Sequence, residues 1–199
     1  MNTHLAKKIT ADQQTTEAKS KMLLIARDLV RNSGMSAFNL RLVAEQADTS
    51  TQAIYTLFGG KSGLVKALYK RWVVELEERL ELLMPHSSPV EMLLHTALIY
   101  REQALTDPEL FLSGTSPAAA EADVLGMMIN SRLFSLFVSF LERGIQEGIF
   151  QPQSCSEQTA KALWAAVHGA VLFELCTREP HEPVNSVSEL LPILLKGLS

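Results

Sequence analysis

Only two cysteines, Cys155 and Cys176, occur in 199 residues. Neither stands in a CxxC or a Cys/His cluster, so a disulfide framework and a zinc site both lack support, and two free thiols are expected. The five histidines, His4, His86, His95, His168 and His181, are scattered, and no HExxH, GxSxG or P-loop is present. No metal or cofactor is therefore called for. Long apolar runs are missing too, none approaching the ~18 residues of a membrane span. The start carries Lys7 and Lys8 with no apolar segment behind them, unlike a secretory signal. The expected location is the cytoplasm, with no membrane partner. Strand-type alternation is absent throughout, which leaves an all-α fold.

What is present begins with an uneven charge. The net charge is −4, yet residues 1–72 hold eleven Lys/Arg against five Asp/Glu, a net of +6, and residues 73–199 hold seven against seventeen, a net of −10. The N-terminal third has the positive field that phosphate binding needs, and the remainder would be repelled by nucleic acid.

Helical periodicity then divides the chain. Residues 1–16 are polar and aperiodic and read as a flexible basic arm. Met22, Ile25, Ala26 and Leu29 mark a helix over about 17–32, stopped at Gly34. Asn39 is a good N-cap for a helix of two turns carrying Leu40, Val43, Ala44 and Ala47, and Ser50 caps another that holds Ile54, Leu57 and Phe58 and breaks at Gly59 and Gly60. A long helix over about 61–84 is drawn by Val65, Leu68, Trp72, Leu76, Leu80 and Leu83 and ended by Pro85. Beyond it, Ser88 to Glu91 forms a capping box with proline at the first helical position, giving a helix to about Thr106, and Asp107-Pro108 opens a brief one. A single helix is expected over about 118–147, apolar almost all round between Val124 and Leu141. Capping boxes at Ser154/Glu157 and Ser186/Glu189 start the last two, with Pro192 kinking or delaying the second. The expected architecture is an N-terminal three-helix helix-turn-helix head joined by the long fourth helix to a C-terminal bundle of about five helices. The expected domains are the arm, the head over residues 17–71 and the bundle over residues 72–199.

In a helix-turn-helix the first two helices and the tight turn, here Ala47 to Ser50, hold the third so that its N-terminal residues enter the major groove. Asp48 suits the turn because aspartate visits the left-handed region more readily than most residues. Thr51, Gln52, Tyr55 and Thr56 are left toward DNA, with Ala53 beside them. Glutamine can pair with adenine, and a threonine methyl can meet thymine. Arg41, Tyr55 and Lys61 are placed for phosphates, aided by the amides at the start of the long helix, and Asn39 is a further contact candidate.

Gly34 to Leu64 resembles the DNA-binding domain of the TetR family of regulators. The shared anchors are Arg41-Leu42-Val43-Ala44, Ala47, Ser50, Ile54-Tyr55, Phe58, Lys61 and Leu64. Asp48 replaces the usual turn glycine, and Leu57 stands where an aromatic or histidine often touches phosphate. The resemblance implies a repressor that binds a palindromic operator on double-stranded DNA as a homodimer and releases it when a small molecule binds. Leu163 to Gly169 is similar to the Trp-x-x-x-His-Gly signature of one subgroup of TetR regulatory domains.

Ala162, Ala166, Gly169 and Ala170 form a stripe of small residues that, with Phe173, marks a candidate dimer face. Glycine inside a helix costs about 1 kcal/mol relative to alanine, so something should compensate. The family resemblance also implies an effector cavity, whose candidate lining is His95, Phe111, Met128, Phe134, Trp164 and His168, a moderately apolar set. Two alternatives stay open: an enzyme with His168 paired to Glu174 or His95, and a DNA-binding activator or architectural protein without ligand control.

Overall fold

A computed structural model describes residues 2–82, 88–151, 155–177 and 186–199, the first eleven of these as backbone only. Every regular element among the described residues is helical. The helices form two compact units, Met1–Arg71 with Ser113–Val124, and Trp72–Leu112 with Leu125–Ser199.

In the first unit, α1 spans Asn2–Ala37, with Gly34 at φ 73° breaking the helical path where the sequence places a stop. Residues 2–16 are helical, against the expectation of an arm. No glycine or proline precedes Gly34, so nothing in the chain interrupts propagation toward the N-terminus. α2 (Leu40–Gln46) and α3 (Thr51–Phe58) follow, and α4 (Lys61–Glu81) begins in this unit and continues into the other. The core of the head is Met22, Ala26, Val30, Phe38, Val43, Ala44, Ile54, Leu64 and Leu68, all buried. Ser62 donates to the Glu121 carbonyl at 3.3 Å, and the hydroxyls of Tyr69 and Ser113 lie 3.4 Å apart, which ties the 113–124 segment to α4. Burial pushes the Tyr69 hydroxyl up to about 12 although the Ser113 contact opposes it.

The second unit is built on α5 (Pro89–Thr106), which starts at the complete Ser88/Glu91 capping box. It packs against α9 (Arg132–Gln146), α10 (Ser156–Thr177) and α11 (Ser186–Lys196). α6 (Pro108–Leu112) belongs to it as well. One expectation fails here. The helix predicted over 118–147 is three: α7 (Pro117–Glu121), α8 (Val124–Ile129) and α9. Asp123 turns the chain at φ 52°, and Ser131 accepts the Phe134 amide as an N-cap, so local polar groups win over continuous apolar character. α9 then buries one face, Leu133, Phe134, Phe137, Phe140, Leu141 and Gly144, and exposes Ser135, Ser139 and Glu142. A second correction concerns Ser186. Instead of capping α11, its hydroxyl donates to the Ala170 carbonyl and contacts Glu174, both at 3.1 Å. α11 also continues through Pro192 rather than starting after it. The proposed box at Ser154 lies outside the described residues.

Arg101 on α5 grips Glu174 on α10 with two guanidinium nitrogens, one at 2.8 Å, and the side chains are 14% and 9% exposed. Burial raises the Glu174 carboxyl, but Arg101 and Ser186 outweigh it and hold it below the ordinary carboxylate range. Arg101→Met strands a carboxylate in the bundle and is expected to cost about 3 kcal/mol at neutral pH. Because the folded pKa is depressed, the loss shrinks as pH falls from the ordinary carboxylate value through the folded one, which urea titrations at pH 7 and at pH 3.5 would show.

Candidate nucleic-acid interface

The turn between α2 and α3 is made by local chemistry. Asn39 Oδ1 accepts the Leu42 amide at 3.0 Å, and Ser50 Oγ accepts the Ala53 amide at 3.2 Å, so each short helix has its first orphan donors satisfied. Asp48 takes φ 54°, inside the left-handed region, and the Thr49 amide reaches the Ala44 carbonyl at 2.9 Å. Lys21 on α1 donates to the Ala47 carbonyl at 2.9 Å and clamps the turn from the side. Ile54, fully buried, anchors α3, while Phe58 is half-buried.

Anchored in this way, α3 exposes Thr51, Gln52, Tyr55 and Thr56, with Ala53 partly covered. Arg41 and Lys61 are exposed as well, and the Lys61 ammonium lies 5.8 Å from the centroid of the buried Phe38 ring. Thr56 spends its hydroxyl on the Gln52 carbonyl, which leaves its methyl as the outward group. Asn39 is occupied as a cap, and its side-chain oxygen is committed to Leu42.

Two glycines shape this surface, Gly60, read in the sequence only as a helix break, and Gly63, to which sequence reasoning gave no role. At Gly60, φ 109°, a Cβ would come within 2.9 Å of the Tyr55 ring, so the bare backbone lets that ring lie down beside the start of α4. At Gly63 a Cβ would overlap the Phe58 carbonyl oxygen and come within 2.8 Å of its carbon. The end of α3 rests directly on the first turn of α4. Both glycines stand in the Phe58 to Gly63 run, but only the three-dimensional approach of the backbones distinguishes them from ordinary helix-break residues.

This head coincides with the match to the family model described as "Bacterial regulatory proteins, tetR family", over residues 23–68. The head is of the TetR family. Over 188 residues the chain is 22% identical to the uncharacterised HTH-type transcriptional regulator YhgD of Bacillus subtilis (strain 168), covering 92% of this chain and 97% of that one. Solved structures share the fold. A protein of unknown function from Rhodococcus sp. RHA1 superposes with a TM-score of 0.72 at 21% identity, over 91% of this chain and 95% of the other. The regulator FadR of Bacillus subtilis, in complex with stearoyl-CoA, gives 0.70 at 15% identity, over 90% and 99%.

In the second unit, four of the six expected lining residues meet. Phe111, Phe134, Trp164 and His168 gather around Tyr100 of α5, which sequence reasoning missed. Ring centroids of Tyr100 and Trp164 are 4.6 Å apart, those of Phe111 and His168 4.8 Å, and Trp72 meets Tyr100 edge-on at 5.6 Å. Met128 stands on α8 and is half-buried. His95 lies further back on α5 with a buried Nδ1. The Tyr100 hydroxyl and His168 Nδ1 are 2.7 Å apart. Burial drives the Tyr100 pKa up and the His168 pKa down, so both groups are held neutral, and the imidazole tautomer sets which of them donates in the bond they share. The dyads weighed for an enzyme do not form: His168 is engaged by Tyr100, and Glu174 by Arg101 and Ser186.

Two buried nitrogens, Trp72 Nε1 and His95 Nδ1, have no hydrogen-bond partner among the described residues. Leaving such a group unpaired costs about 1–3 kcal/mol.

The stripe on α10 faces outward. Ala162, Gly169 and Phe173 are exposed, the phenylalanine at 68%, and Ala166 and Ala170 are half-buried. A Cβ on Gly169 would meet nothing within 4 Å. Packing among the described residues therefore gives no reason for a glycine there.

Proposed function

We propose that the protein is a homodimeric, ligand-responsive repressor that reads a palindromic operator with α3 and releases it when a small molecule occupies the second unit. In this reading residues 17–71 are the DNA-binding domain, residues 72–199 bind the effector and the partner subunit, and the protein acts in the cytoplasm. The observation that carries it is α3: a doubly supported short helix that buries Ile54 and holds Thr51, Gln52 and Tyr55 in solvent on a basic domain. Dimerisation is supported by the exposed Phe173 beside Gly169, since small residues let a second helix approach closely and a large bare aromatic favours a covered face. Binding of stearoyl-CoA by the Bacillus subtilis FadR structure supports an effector in a fold of this kind.

Selection of bound sequences from a random DNA pool tests the proposal. An inverted repeat with half-sites about 34–36 Å apart, or a multiple, is the expected outcome. Repeating the selection with Gln52→Ala is expected to relax preference at one base pair per half-site by about 1–3 kcal/mol, whereas Tyr55→Phe weakens all sequences alike. No enrichment by the wild-type protein would overturn the reading.

A further inference from the structure

We propose that the effector site is the aromatic cluster around Tyr100, and that its ligand is a neutral, flat, unsaturated molecule bearing a hydrogen-bond acceptor such as a ketone. This rests on the ligand-responsive reading above and adds the chemistry of the ligand.

The wall comes first. Trp72, Tyr100, Phe111, Phe134, Phe137 and Trp164 present aromatic rings to one another at centroid separations of 4.6 to 6.4 Å, tilted or edge-on rather than stacked face to face. A planar π-system can join such a set by the same tilted and edge-on contacts, which a flexible alkyl chain cannot make. The polar anchors come second. Trp72 is 5% exposed, yet its indole N–H is unpaired among the described residues. It can only donate. The Tyr100 and His168 pair adds a second donor, since the phenol O–H or the imidazole N–H is left over whichever tautomer makes their shared bond. A ligand acceptor supplies what these groups lack.

Charge comes third. The cluster consists of neutral side chains, and Arg101, next in sequence to Tyr100, is committed to Glu174 in a two-pronged ion pair. An anionic ligand would enter an apolar site without a counter-charge, which is strongly disfavoured. The assigned class therefore differs from the acyl-CoA held by the FadR structure.

Four probes separate these terms on the full-length protein by calorimetry: 2-acetylnaphthalene, naphthalene, 2-naphthoate and stearoyl-CoA. Trp72 and Trp164 are the only tryptophans and both belong to the cluster, so their emission reports occupancy independently. The expected result is that 2-acetylnaphthalene binds at least tenfold more tightly than each of the other three and perturbs tryptophan emission. Trp72→Phe keeps an apolar ring in place, and its folding is checked by circular dichroism. It is expected to remove most of the preference for the ketone over naphthalene while leaving naphthalene binding within about threefold. If Trp72→Phe does not fold, His168→Gln is expected to lower that preference in the same way. Tighter binding of the naphthoate or of stearoyl-CoA, no binding of any probe, or a ketone preference that survives the folded variants would overturn the proposal. Binding of the ketone that leaves operator affinity unchanged would instead overturn the regulatory reading and leave the site's chemistry standing.

Discussion

Gly63→Ala lowers the melting temperature by about 10 °C and abolishes operator binding. The added methyl meets the Phe58 carbonyl group, which is backbone and cannot swing aside as a side chain would. Either the end of α3 lifts from α4 or the first turn of α4 unwinds. Overpacking of this kind costs about 3 kcal/mol, and each kcal/mol is worth roughly 2–4 °C in a chain of this size. The consequence for DNA exceeds the thermal loss, because α3 carries Gln52 and Tyr55 and its C-terminal end is the part displaced. Scanning calorimetry and a gel-shift assay measure the two effects, and an unchanged midpoint would show that α3 and α4 do not meet through Gly63. Gly60→Ala has a different cause, a strained φ of 109° and a crowded Tyr55 ring, and should weaken DNA binding with a smaller thermal cost.

The proposed dimer makes the second large prediction. Phe173→Arg puts a charge on the face of α10 that also carries Ala162, Ala166, Gly169 and Ala170. In a lone chain this substitution is benign, since Phe173 is 68% exposed. In a dimer it buries an unpaired guanidinium twice, once from each subunit. Light scattering at micromolar concentration is then expected to show a monomer with unchanged helicity. Operator affinity should fall about a hundredfold, as a second half-site loses its tethered reader. A variant that stays dimeric would place the partner contact elsewhere.

The head was legible because its determinants are local. Asn39, Asp48 and Ser50 each act within three residues of themselves, so caps and turn follow from residue type alone, and the long α4 follows from periodicity. The break at Asp123 and Ser131 was hidden for the opposite reason: an apolar run predicts burial, and helix ends inside it are decided by hydroxyl and backbone geometry. Phe111, Phe134, Trp164 and His168 come from three helices, and their convergence was anticipated only as a family likeness. Tyr100 and Trp72 were missed because an aromatic on a buried stripe looks the same whether it fills a core or lines a site.

Lys21 alters how the basic head should be counted. Its ammonium is held by the Ala47 carbonyl at 2.9 Å, so reaching a phosphate would mean releasing the turn that aims α3. It still adds to the attractive field at long range. It does not, however, displace a condensed cation from the duplex. The slope of log affinity against log salt, which counts ions released on contact, is therefore set by fewer side chains than the eleven Lys/Arg of residues 1–72 would suggest.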